Sequence, residues 1–220
     1  MDLTKFERGL PKLYHSLRRS RYPRNRRLSH LIRRIPGFAT ENKLMLLNFA
    51  ASLLARQELY LEVGTWQGLS LIGAMWENAD KEFFAIDNFS QFGNVRQEFH
   101  ANLVRWLPHA RLTFLEGDCF SLLRARQLFG GRKIGVYFYD GDHAYQSQFR
   151  GLQYVQKHLS DSALVVIDDT AYQRVRSATS VFMSFRRGYR LLFDLRSEYD
   201  GEPRWWNGIQ VYSYDVRLRS

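Results

Sequence analysis

Glu62-Val63-Gly64-Thr65-Trp66-Gln67-Gly68-Leu69-Ser70 is the stretch that decides how the rest of the chain is read. An apolar run of strand length, Leu59–Val63, leads into it, and a helical stretch, Ser70–Glu77, leads out. Gly64 permits a tight turn, and Gly68 lets backbone come close to a ligand. The helix that starts there offers unpaired N–H groups to an anion. The spacing is not G-x-G-x-x-G, which counts against a dinucleotide site. A glycine-rich β–α turn that holds no ligand is the plain alternative.

Outward from this turn, strand and helix alternate. Apolar runs recur at Phe83–Ile86, Leu112–Leu115, Ile134–Tyr139 and Leu164–Ile167, separated by helical stretches at Asn94–Trp106, Ser121–Gln127 and Tyr145–His158. Such alternation predicts an α/β fold, a parallel sheet with helices on both faces. After a further helix, about Tyr172–Phe185, come Tyr189–Leu195 and Gly208–Tyr214, joined only by a loop with Gly201 and Pro203. A connection without a helix makes that last pair an antiparallel hairpin and completes a seven-stranded, mostly parallel sheet. Periodicity alone also admits other doubly wound folds.

Ligands of open α/β sheets sit beyond the carboxyl ends of the strands. After the second strand stand Asp87 and Asn88, and an acid there can accept hydrogen bonds from ribose hydroxyls. After the third stand Glu116-Gly117-Asp118-Cys119, where Asp118 could equally cap the next helix. After the fourth comes Asp140-Gly141-Asp142-His143-Ala144-Tyr145, and after the fifth Asp168-Asp169-Thr170. Four neighbouring carboxylates repel and raise one another's pKa. A hard cation such as Mg²⁺, Ca²⁺ or Mn²⁺ would relieve them; helix capping is the alternative.

The first turn resembles motif I of class I S-adenosylmethionine (SAM) methyltransferases, in the E-[IV]-G-x-[FYW]-x-G-x-S form of catechol-type O-methyltransferases. The run from Tyr139 to Tyr145 with Val166-Ile167-Asp168-Asp169 resembles the macrocin-type and "methyltransferase 24" branch. The likeness covers roughly residues 37–215. It implies a Rossmann-like methyltransferase in which Glu62, Gly64, Thr65, Trp66, Gly68, Ser70, Asp87, Asn88, Asp118, Cys119 and Asp140 contact SAM. By the same likeness Asp140, Asp168 and Asp169 bind Mg²⁺, and either Asp142 or His143 is the general base. His143 is preferred, because an unperturbed imidazole titrates near operating pH. The implied acceptor is a small-molecule hydroxyl of sugar, catechol or natural-product type. The chain departs from the caffeoyl-CoA-type pattern, where Asn usually follows the first acid after the fifth strand. Trp205-Trp206-Asn207-Gly208 could line an acceptor pocket or pack the final hairpin.

The chain has 220 residues, 45% of them hydrophobic and 25% charged, as expected of one domain with a proper core. Residues 1–36 carry eleven Lys/Arg against Asp2 and Glu7, nearly all of the net charge of +10. They read as a basic extension, with a short amphipathic helix on Leu28, Leu31, Ile32 and Ile35 that ends at Pro36-Gly37. A second helix is expected over Glu41–Arg56. The arginine-rich segment raises the rival of an RNA or other nucleic-acid methyltransferase, and more weakly a membrane-surface contact. A solvated face or a homo-oligomer contact is the bland use. A non-catalytic SAM-binding protein is a further alternative, which the intact acids disfavour. The single cysteine, Cys119, excludes an intrachain disulfide. With neither an apolar leader nor a transmembrane run, the expected location is the cytoplasm.

Overall fold

The computed structural model describes residues 1–219 apart from 94, 108, 110 and 126. The elements are, in chain order, α1 (Leu3–Gly9), α2 (Ser29–Ile32), α3 (Glu41–Ser52), β1 (Glu58–Val63), α4 (Leu69–Met75), β2 (Glu82–Asp87) and α5 (Arg96–Trp106). Then follow β3 (Leu112–Glu116), α6 (Cys119–Arg124), β4 (Lys133–Tyr139), α7 (Tyr145–Val155), β5 (Leu159–Ile167), α8 (Gln173–Ser184), β6 (Tyr189–Leu195) and β7 (Ile209–Asp215). The seven strands form one sheet in the order β3-β2-β1-β4-β5-β7-β6. Neighbours from β3 to β5 pair parallel, and β7 runs antiparallel to both β5 and β6. This is the predicted Rossmann-like sheet with its C-terminal hairpin. Residues Asn94 and Arg126 of the expected helices lie outside the described residues.

Central strands of a parallel sheet are covered on both faces, so they read as unbroken apolar runs. All six residues of β1 are buried. Its side chains still alternate: Tyr60 joins one core layer with Phe83, Phe138 and Val166, while Leu59, Leu61 and Val63 join the other with Tyr137, Leu152 and Val165.

The basic N-terminal segment is part of the first core layer. Phe6, Leu10, Tyr14, Leu28, Leu31 and Ile35 are all buried there. Its arginines face outward, and several are tied to the domain: Arg24 donates to the Tyr14 carbonyl, Arg26 pairs with Glu41, and Arg27 with Glu77. Helix α3 lies beneath this segment and is buried on nearly every side, its polar Glu41, Asn42, Lys43 and Asn48 included. The helix predicted through Ile35 is shorter than expected, spanning only Ser29–Ile32. It lacks a side-chain N-cap, and Pro36 disfavours helical geometry at Ile35. The helix predicted to Arg56 ends at Ser52. No helix among the described residues is long and apolar enough to cross a membrane.

Candidate active site

A cavity of about 630 Å³ opens at the carboxyl ends of β1 to β5. Gly64, Thr65, Trp66 and Ser70 line it from the first turn, where Gly64 adopts φ +86°. A Cβ on Gly64 would lie 2.0 Å from the Asp140 carbonyl oxygen, so only glycine lets β1 and β4 meet there. Gly68, at φ +89°, is the left-handed N-cap of α4. Neither Gly68 nor Glu62 lines the cavity. Glu62 is buried behind the turn and accepts from Ser70 Oγ at 2.7 Å and Tyr60 Oη at 2.8 Å. Burial raises its carboxyl to about 8, against the lowering effect of those two bonds. It therefore acts on the cavity only by holding Ser70.

Asp87 ties the β1 and β2 turns together. Its Oδ2 accepts from Thr65 N (2.6 Å), Trp66 N (2.9 Å) and Thr65 Oγ1 (3.1 Å), and its Oδ1 from Phe89 N (2.8 Å). Asn88 borders the cavity and turns its amide oxygen to Ser90. Asp118 lines the cavity and also caps α6, accepting from Ser121 N at 2.8 Å. Cys119 lies beside it; burial pushes its thiol up to about 12, which rules out a reactive thiolate at neutral pH.

At the other end stand Asp140, Asp142, His143 and Asp169. His143 Nε2 is 2.8 Å from Asp169 Oδ2 and 3.7 Å from Asp140 Oδ1. Burial pulls the imidazole pKa down, but the hydrogen bonds and charge of the two carboxylates outweigh it and raise it to about 10. Asp142 is occupied in the turn that leads into α7, accepting from Ala144 N at 3.2 Å and Ser147 Oγ at 2.5 Å.

The predicted Mg²⁺ trio is not what assembles. Both Asp168 oxygens lie 2.6 Å from the Nζ of Lys43, and both side chains are buried. Burial works against the Lys43 ammonium, yet the carboxylates of Asp168, Asp169 and Asp140 hold its pKa above the ordinary value. Asp168 therefore points inward and does not line the cavity. The donor atoms that do converge, within 4.8 Å of one another, belong to Asp140, His143 and Asp169. With Asp168 committed to Lys43, the expected all-oxygen set for Mg²⁺ does not fit.

Lys43 escaped the sequence reading, although a lone cation ahead of Leu44-Met45-Leu46-Leu47 was the available signal. An aromatic wall was also missed. Phe38 stacks on Trp66 (4.7 Å between centroids) and neighbours Phe92 and Trp206 at 5.5 and 5.9 Å. Trp205 packs on Tyr14 and donates to the Leu17 carbonyl, while Trp206 and Asn207 line the cavity.

A sequence family described as a methyltransferase domain matches residues 61–170, half of the chain and the part that carries all five carboxyl-end turns. The chain belongs to this methyltransferase-domain family. No curated protein matches it in sequence. Among solved structures, the O-methyltransferase TomG from Streptomyces achromogenes, involved in tomaymycin synthesis and solved with SAM, superposes with a TM-score of 0.66 at 16% identity. The match covers 88% of this chain and 92% of that one. An O-methyltransferase from Bacillus cereus, solved with SAH, gives 0.60 at 12% identity over 88% and 92%. These likenesses bear out the expected class I methyltransferase fold.

Proposed function

We propose that this methyltransferase moves the methyl group of SAM to a hydroxyl of a small-molecule acceptor. The observation that carries the reading is a single cavity joining the Gly64–Ser70 turn, Asp87 and Asp118 at one end to the His143–Asp169 pair at the other. Its volume of about 630 Å³ suits a cofactor and a modest acceptor together. SAM, when bound, supplies the electrophilic methyl on its sulfonium. The turn at Gly64–Trp66, with Ser70, would hold the methionine end. Asp87 would offer its remaining lone pairs to the ribose, while Asp118 and Cys119 border the base. Trp66, Phe38 and Trp206 exclude water over the acceptor end.

His143 is the acid–base residue of this reading. Asp169 orients its ring, and Asp142 is engaged by Ala144 N and Ser147 Oγ. The imidazole is protonated in the free chain at neutral pH, because two carboxylates face it. It becomes neutral more readily once a second positive charge enters the cavity and competes for those carboxylates. It can then take the hydroxyl proton as the oxygen attacks the methyl, a reaction governed mainly by positioning.

Calorimetric titration with SAM and SAH, followed by transfer of labelled methyl to a panel of phenols, catechols and sugars, tests the reading. Micromolar SAM binding with label transferred to a hydroxyl supports it. Absence of SAM binding overturns it.

A further inference from the structure

We propose that Lys43 is a built-in cation of the methyltransferase rim, standing in for a divalent ion and positioning the His143–Asp169 pair. The inference concerns the same site as the reaction above but not its acceptor, and its test requires no SAM.

Lys43 reaches the rim from the first turn of α3, beneath the sheet's carboxyl edge. That turn is fixed from both sides: Lys43 N donates to Thr40 Oγ1 at 3.2 Å, and Thr40 Oγ1 donates to the Arg204 carbonyl at 2.9 Å. The ammonium meets both oxygens of Asp168 at 2.6 Å, with the two side chains 1% and 2% exposed. To ligate a metal, Asp168 would have to abandon this pair and leave a buried ammonium without its partner, which is strongly unfavourable. A divalent ion held by Asp140 and Asp169 alone would face the ammonium and displace His143 from its 2.8 Å contact with Asp169. The fold thus supplies inside the core the positive charge that the crowded carboxylates call for.

The same pair sets the geometry of the acid–base group. Asp169 sits at φ +53°, a left-handed conformation that costs a non-glycine residue energy and must be held by its surroundings. Its N–H donates to Asp168 Oδ1 at 2.8 Å, so the carboxylate that Lys43 fixes also holds the strained residue facing His143. The order of dependence is Lys43, Asp168, the Asp169 backbone, His143. Lys43 is accordingly a positioning residue and not one that touches the reacting atoms.

Mn²⁺ titration of the full chain, followed by electron paramagnetic resonance, tests this. The wild-type chain should leave Mn²⁺ free at concentrations up to about 1 mM. Lys43→Met should bind one Mn²⁺ at the released carboxylates, and Lys43→Arg, which keeps the charge, should again leave it free. One equivalent of Mn²⁺ bound by the wild-type chain at micromolar concentration, and lost in Asp168→Asn, overturns the proposal. So does a folded Lys43→Met chain that binds no Mn²⁺. Should Lys43→Met fail to fold, the wild-type titration and Asp168→Asn still decide the matter. Failure of the methyltransferase reading would appear separately, as absence of SAM binding with Mn²⁺ behaviour unchanged.

Discussion

The Ser70 hydroxyl donates to Glu62 Oε1 at 2.7 Å across the first β–α turn, and this bond joins the cavity wall to a carboxyl that burial has raised to about 8. A carboxyl whose pKa folding raises gives up its proton first in the unfolded chain. Its unfolded form releases the proton near 4.5 and its folded form near 8, so stability falls as pH rises between those values and levels off beyond. Glu62→Gln removes the titration while leaving an oxygen for Ser70. Urea unfolding at pH 5, 7 and 8.5 should show the wild-type chain losing ground to Glu62→Gln as pH rises. A difference independent of pH would mean that Glu62 is not the titrating group.

Gly64→Ala should be among the most damaging single changes. The added Cβ meets the Asp140 carbonyl at 2.0 Å, and φ +86° is itself unfavourable for alanine. A loss above about 3 kcal/mol is expected, because backbone and not a flexible side chain must give way. Chemical denaturation measures it. A loss below about 1 kcal/mol would show that the β1 and β4 ends can part freely.

What could be read in advance follows from what the signals depend on. Strand and helix order was legible because burial on both faces leaves unbroken apolar runs, as in Leu59–Val63 and Ile134–Tyr139. The carboxyl-end turns were legible because glycine and aspartate carry their function in their identity. Asp87, Asp118, Asp140, His143 and Asp169 do border one cavity. The partner of Asp168 was not legible, because Lys43 lies 125 residues away and reaches it only through the stacking of α3 against the sheet. Residues 1–36 misled through their charge: eleven cations drew attention from Phe6, Leu10 and Tyr14, whose burial joins the segment to the core.

That joining has a measurable consequence. Phe6 is fully buried and stacks near Phe49 at 5.9 Å, with Phe193 edge-on at 6.3 Å. Phe6→Ala should cost about 3–5 kcal/mol, the usual loss for a buried phenylalanine. A segment that merely trailed in solvent would lose almost nothing, so the unfolding free energy of this variant separates the two cases.

Asp87 accepts four hydrogen bonds that join two turns. Asp87→Ala leaves the N–H groups of Thr65 and Trp66 unpaired and takes away the acceptor proposed for the ribose. Hydrogen bonds to a charged group are worth about 1.5–3 kcal/mol, so SAM affinity should fall by roughly 10- to 100-fold. Calorimetry reads the change, and an unaltered affinity would remove Asp87 from the cofactor site.

His143 and Asp142 are separated by what each is already bonded to. Asp142→Ala leaves Ala144 N and Ser147 Oγ without their acceptor and should cost about 1 kcal/mol of stability with methyl transfer largely kept. His143→Ala should lower methyl transfer by about 10²- to 10⁴-fold and leave SAM affinity within a few-fold. The imidazole itself should titrate near 10 in the free chain. Because its folded pKa lies above its unfolded value near 6.5, its contribution to stability is complete below pH 6.5 and is lost as pH rises towards 10. Heteronuclear NMR of the His143 ring reads this directly, with and without ligand. Saturation with SAM should lower the ring's pKa, since the sulfonium carries a positive charge, whereas SAH, a neutral thioether at that position, should lower it far less. Equal shifts with both would mean that the ring does not sense the sulfonium, and the proton removed from the acceptor would then have to go to another group, with Asp140 and Asp169 the carboxylates beside the ring that face the same cavity.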